Sequence, residues 1–148
     1  MTDALIVACP ACNGLNRVPQ ARLGEAPTCG KCARRLFDAH PVALDEAGFH
    51  AHVERAGLPV LVDFWAPWCG PCRMMTPQFE AAAAQLEPQL RLAKVDTEAQ
   101  PGLGGRFNIR STPTLALFAG GREIARQAGA MGQADIVRWT RQQLPSVG

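Results

Sequence analysis

At 148 residues the chain is long enough for one well-buried core plus a small appendage. Apolar residues make up 47% and charged residues 19%, a balance that excludes an acidic disordered tail or a fibrous repeat. The net charge of +2 divides into five Lys/Arg against three Asp/Glu in residues 1–40 and ten of each in residues 41–148, so neither part carries a nucleic-acid footprint. No apolar run approaches the roughly 18 residues of a membrane span, and no membrane partner is expected. The start, Met1 to Cys9, lacks the basic end and long apolar stretch of a secretory signal, so a cytoplasmic location is expected.

The first 38 residues are rich in Cys, Gly, Pro and Arg and show neither helical nor strand periodicity over a useful window. Such a segment cannot bury enough apolar surface to stand alone and needs a staple. Two pairs supply one: Cys9-Pro10-Ala11-Cys12 and Cys29-Gly30-Lys31-Cys32, separated by sixteen residues, the spacing of four-cysteine zinc sites. Each Cys-x-x-Cys turns two sulfurs and nearby backbone N–H groups toward one tetrahedral centre, and Gly30 suits the tight turn of the second. One Zn²⁺ on Cys9, Cys12, Cys29 and Cys32 is therefore expected, against the alternative of two disulfides or free thiols. With all four positions filled by sulfur the site reads as structural. Expulsion of the metal on oxidation would make it a redox sensor as well, and both roles stay open. Four thiolates on one Zn²⁺ add about −2 and cancel the small positive excess of this segment. His40, His50 and His52 fall outside the ligand spacing and are assigned solvated or packing roles. The expected division is a zinc-binding module over 1–38 and a second domain over 39–148.

From Pro41 the pattern becomes regular. Asp45 to Ala56 predicts a helix with Asp45 as N-cap and Phe49, Val53 and Ala56 at helical spacing. Pro59 to Trp65 predicts a strand apolar on both sides and hence central in its sheet. A helix is expected from Gly70 to Leu86, with Met75, Phe79, Ala82 and Leu86 on one face and Pro77 as a kink. Arg91 to Asp96 reads as a strand, and a short helix falls between Ala99 and Phe107. Thr114–Phe118 and Arg122–Gln127 flank Gly120-Gly121, a hairpin signal, and a last amphipathic helix runs from Gln133 to Leu144. Alternating β and α elements ending in a hairpin and a helix imply an α/β fold with a mixed sheet flanked by helices.

A third pair, Cys69-Gly70-Pro71-Cys72, sits where the central strand hands over to a helix. Unpaired N–H groups and the helix dipole at that point stabilise a thiolate at Cys69. Helix-start thiols of this kind fall from about 8.5 toward about 7, which leaves a reactive fraction ionised near neutral pH. Two intervening residues bring Cys72 within reach of any mixed disulfide at Cys69. In this reading Cys69 attacks and Cys72 resolves; inert helix-end cysteines are the alternative.

The run Val62-Asp63-Phe64-Trp65-Ala66-Pro67-Trp68-Cys69-Gly70-Pro71-Cys72, with Arg110-Ser111-Thr112-Pro113-Thr114, resembles thioredoxin. The resemblance covers residues 41–148 in element order and implies the thioredoxin fold and protein disulfide reductase activity. It further implies that Asp63 accepts the proton of Cys72, that Lys94 neighbours this acid, and that Thr112-Pro113 is a cis bond beside the redox pair; a solvated strand face for Asp63 and a surface strand position for Lys94 are the alternatives. Trp68, next to Cys69, reads as substrate-facing, as does the Gly70-Pro71 turn; Trp65 reads as packing. Gly129 matches a family glycine that lets a partner approach closely. The two N-terminal pairs, with Asn16-Arg17-Val18-Pro19 and Leu36-Phe37-Asp38, resemble the zinc-binding second thioredoxins of bacteria. A flavin-containing thioredoxin reductase drawing on NADPH is then the expected source of electrons. The chain has no Gly-rich nucleotide fingerprint, so neither flavin nor NADPH is expected to bind it directly. Disulfide-containing client proteins are the expected partners and a monomer the expected state. A zinc-dependent chaperone or adaptor, and a ribbon docking on nucleic acid, are the rival classes.

Overall fold

Two sheets organise the chain in the computed structural model, which describes residues 3–144. The first is a hairpin of β1 (Ala4–Ala8) and β2 (Leu15–Pro19), antiparallel with Val7 opposite Asn16. Neither strand carries a legible period in sequence. β1 is Ala-Leu-Ile-Val-Ala, apolar at every position, and buries only its C-terminal end, so alternation is invisible. Cys9 and Cys12 lie in the turn between these strands, and Cys29 and Cys32 follow β2 ten residues on.

The second sheet has five strands in the order β3-β5-β4-β6-β7. β4 (Val60–Trp65) lies at its centre, parallel to β5 (Arg91–Asp96) and antiparallel to β6 (Thr114–Ala119). β7 (Arg122–Ala128) closes a hairpin onto β6 through Gly120 (φ 61°) and Gly121 (φ 78°), the left-handed pair that a two-residue hairpin turn requires. β3 is only Val42–Ala43, paired with Ala93 and Lys94 of β5, and is too short to leave a sequence signal.

Strand alternation sorts the core onto two faces. Leu61, Leu92, Leu115 and Leu117 pack against α2 (Gly70–Leu86) and α4 (Gln133–Gln143), meeting Met75, Phe79, Leu86 and Ile136. Val60, Val62, Phe64, Val95 and Phe118 pack on the other face against α1 (Glu46–Phe49) and α3 (Pro101–Arg106). Phe49, Phe107 and Phe118 form an edge-on aromatic cluster there, with ring centroids 5.1–5.6 Å apart. α1 continues through His50–Arg55 as a wider π-helical turn, so the helix expected over 45–56 is present with a changed pitch. α2 spans the expected residues without a break at Pro77. The ribbon docks on the main sheet through Leu58, which joins Val7, Val18 and Leu36, and through the Gly57 N–H, which donates to the Ile6 carbonyl at 2.7 Å.

Asp45 caps α1 by accepting from the Gly48 N–H at 2.7 Å. Asp45→Ala should lower stability by about 1 kcal/mol, read from urea denaturation midpoints with an unchanged slope.

Candidate active site and metal centre

The end of β4 fixes where α2 begins. Trp65 still pairs with Asp96, and its carbonyl accepts from the Thr97 N–H at 2.8 Å, after which Ala66, Pro67 and Trp68 turn the chain outward. Cys69 is the N-cap of α2, with extended backbone (φ −89°, ψ 113°), and Pro71 falls in the first turn, where its missing N–H costs nothing. The Cys69 sulfur lies 3.2 Å from the Cys72 N–H, and Cys69 and Cys72 are joined as a disulfide with Cα atoms 5.3 Å apart. Both cysteines are buried, with Ala66 and partly buried Trp65 packed around them, whereas Trp68 is 71% exposed at the rim.

Opposite the dithiol runs the loop before β6. Thr112-Pro113 is cis, and the Thr112 carbonyl oxygen lies 3.4 Å from the Cys69 sulfur. Gly129 donates its N–H to the Pro113 carbonyl at 2.9 Å, adopts φ 98°, and has open space where a Cβ would stand. The left-handed backbone and the clearance together favour glycine at this position.

Asp63 is 1% exposed, and its Oδ1 has no hydrogen-bond partner among the described residues. It shares the α2-facing side of β4 with Leu61, two residues back, and pairs in register with Lys94 of β5. Desolvation drives its carboxyl up to about 7, with the Lys94 charge acting in the opposite sense. Lys94 is half-buried, its ammonium 4.8 Å from the centre of the Trp65 ring. The sequence left both residues open between a surface strand position and a place beside the dithiol; burial of Asp63 removes the surface alternative for the acid.

The remaining cysteines converge. Cys9, Cys12, Cys29 and Cys32 bring their sulfurs within 4.8 Å of one another, with Cys9–Cys32 at 3.6 Å and Cys12–Cys29 at 3.7 Å. A tetrahedral Zn²⁺ with bonds of about 2.3 Å sets its sulfurs about 3.8 Å apart, so this donor set fits one ion and is far too open for disulfides. The two loops are built alike. Asn13 (φ 61°) and Ala33 (φ 67°) each follow the second cysteine of a pair in left-handed conformation, and their N–H groups donate to the Cys9 and Cys29 carbonyls at 2.8 Å. Backbone N–H groups aim at the sulfurs: Ala11 at Cys9 (3.4 Å), Gly14 at Cys12 (3.4 Å), Lys31 at Cys29 (3.3 Å). The Lys31 and Cys32 N–H groups lower the Cys29 thiol, whereas Cys12, despite the Gly14 N–H, is raised by desolvation and the neighbouring thiols. Asn16 buttresses the site, accepting from the Gly30 N–H at 2.9 Å with its amide nitrogen 3.5 Å from the Cys29 sulfur. Asn16, which in sequence only contributes to a family resemblance, is brought here by its position across the hairpin from Val7.

Two family profiles match the chain. The profile described as Thioredoxin matches residues 40–142, and the one described as Thioredoxin 2, N-terminal, a zinc ribbon, matches residues 8–34. The chain belongs to the thioredoxin family. It is 44% identical to Thioredoxin C-3 of Corynebacterium nephridii, over 95% of this chain and 96% of that protein. It is 36% identical to the chloroplastic M-type thioredoxin of Chlamydomonas reinhardtii, over 82% of this chain and 89% of that one. A bifunctional thioredoxin reductase/thioredoxin of Mycobacterium leprae is 42% identical over 66% of this chain and 21% of its own length. The chain is thus a thiol–disulfide oxidoreductase with a thioredoxin domain, a mixed sheet flanked by helices, preceded by a four-cysteine zinc ribbon for one Zn²⁺. Among the described residues no helix is long and apolar enough to cross a membrane.

The Asp63 shift has a stability consequence whose sign is fixed. Its folded value of about 7 exceeds the unfolded value of about 4, so between these pH values the folded chain holds a proton that the unfolded chain has released. Stability therefore falls as pH rises through this window, and the full cost is present above it. Asp63→Asn should raise the unfolding free energy by on the order of 2–4 kcal/mol at pH 8 and change it little at pH 4, measured by urea denaturation at both.

Proposed function

We propose that the chain reduces disulfides in other proteins, with Cys69 attacking and Cys72 resolving. One observation carries the reading: the Cys69 sulfur caps α2 beside the Cys72 N–H, where free N–H groups and the helix dipole favour a thiolate. The Cys69 thiolate attacks one sulfur of a client disulfide, and the other client sulfur leaves as a thiolate that takes up a proton. Cys72 passes its proton to Asp63 and attacks the Cys69 sulfur. The Cys69–Cys72 disulfide forms, the client departs as a dithiol, and two electrons have moved from chain to client. A carboxyl held near neutral pH by burial suits this proton transfer, and Lys94 keeps part of it ionised.

The client would lie on the surface made by Trp68, the Gly70-Pro71 turn, Thr112-Pro113 and Gly129. Exposure of Trp68, closeness of the Thr112 carbonyl to Cys69 and the clear space over Gly129 support this placement. A reductase must return two electrons to the disulfide. The relative that carries a thioredoxin reductase in the same chain supports an NADPH-dependent enzyme of that kind as partner. The reading places this chemistry in the cytoplasm and in a monomer.

For the ribbon we propose residues 1–38 as the metal module and 39–148 as the redox domain, with Cys9, Cys12, Cys29 and Cys32 as the ligands. Sulfur spacing and the matched loops support that ligand set. Buried Cys9 and Cys29 alongside solvent-facing Cys12 suit a staple that an oxidant can also reach, which favours sensing in addition to support.

Insulin reduction with dithiothreitol should be lost in Cys69→Ser, while Cys72→Ser should accumulate mixed disulfides visible by non-reducing electrophoresis; normal turnover in both would end the dithiol reading. Native mass spectrometry of reduced protein should give one zinc per chain, and mild peroxide should release it as ligand sulfurs oxidise. Retention of zinc by protein whose four ligands had oxidised would remove the sensing role.

A further inference from the structure

Arg91 opens β5, yet it is only 2% exposed. Its Nη2 donates to two carbonyls of the ribbon, Ala8 at 2.9 Å and Leu36 at 2.8 Å. Ala8 immediately precedes Cys9, and Leu36 lies four residues past Cys32. A single nitrogen thus holds the entry to the first cysteine loop and the exit from the second. On its other side Nη1 stands 3.7 Å from the Glu87 carboxylate, at the C-cap of α2, and the Phe37 ring centre lies 4.4 Å from the guanidinium carbon.

The redox domain alone cannot satisfy this cation. Glu87 is as deeply buried as Arg91, too distant for a hydrogen bond, and pushed up to about 7 by desolvation, so it is a poor sole counter-charge. Nη1 and the second Glu87 oxygen have no hydrogen-bond partner among the described residues. The two good acceptors belong to the ribbon, and a small ribbon of this kind folds on its metal. Four thiolates on Zn²⁺ would also leave a net charge of about −2 just past Ala8, of the sign that favours a buried guanidinium.

We propose that Arg91 couples the zinc site to the redox domain, so that metal binding in the ribbon and stability of the thioredoxin domain rise and fall together. The coupling rests on the zinc assignment, and on neither the dithiol mechanism nor redox sensing. Coupling is reciprocal: whatever factor the metal contributes to the domain, the docked domain contributes to metal retention.

The test uses the full chain and two readouts other than turnover. Trp65, Trp68 and Trp139 all lie beyond residue 38, so tryptophan fluorescence melts report the redox domain alone, while a chromophoric chelator reads zinc release. Stripping zinc from the parent should lower the fluorescence Tm. In the double variant Arg91→Met, Glu87→Gln, which leaves no lone buried charge, zinc should leave on the order of tenfold faster and stripping should no longer move the Tm. Arg91→Lys keeps the charge but cannot serve both carbonyls with one planar nitrogen, so its release rate should fall between the two. Parental zinc release in the double variant, or an undiminished Tm drop on stripping it, would overturn the coupling. Should the double variant not fold, parental release in Arg91→Lys does the same. Reduced parent protein with no zinc at all would instead remove the metal assignment, and the coupling with it.

Discussion

β4 is hydrogen-bonded on both sides and buried on both faces, so its register is fixed by β5, by β6 and by two core layers at once. Everything chemical in the redox domain is placed relative to that strand. Asp63 sits within it, Lys94 beside it, Trp65 at its end, and the turn that follows delivers Cys69 to the first N–H groups of α2. Sites held on a strand end and a helix start move little, which matters when one sulfur must lie within reach of its partner and of a client at once. A carboxyl buried in so firmly held a strand costs stability when ionised, and desolvation accordingly raises its pKa.

The ribbon solves a different problem. Its apolar cluster is small, comprising Val7, Cys9, Val18, Cys29 and Leu36 with Leu58 borrowed from the main domain. Sulfur–metal bonds supply what this cluster cannot. The chain also accepts left-handed backbone at Asn13 and Ala33, where the loops turn amide groups toward the sulfurs.

Much of this organisation is legible in the residues. Periodicity placed α2 and β5 at their observed ends, and Gly120-Gly121 marked the β6–β7 hairpin, because long amphipathic segments and left-handed turns leave strong local signals. The spacing of the three cysteine pairs, with the family resemblance, led to the expectation of one redox pair and one four-sulfur metal site, and the four N-terminal sulfurs do converge. What escaped was non-local. β1 and β3 are too short or too uniformly apolar to show a period. Asp63 could be read as buried or exposed until the packing of α2 was known. Arg91 looked like an ordinary charged start to a strand, since nothing nearby in sequence says that the carbonyls of Ala8 and Leu36 will come to meet it.

The outer margins of the main sheet have a bearing on how the molecule behaves in a crowded solution. β7 places Arg122, Glu123 and Arg126 along its exposed length, with Arg126 paired to Glu123 at 2.6 Å, and the opposite margin is the two-residue β3. Unpaired strand edges are templates for intermolecular sheet growth, and charge on one side with near-absence of strand on the other disarms both. Both margins of the main sheet thus offer little length of open, uncharged strand on which a further strand could add.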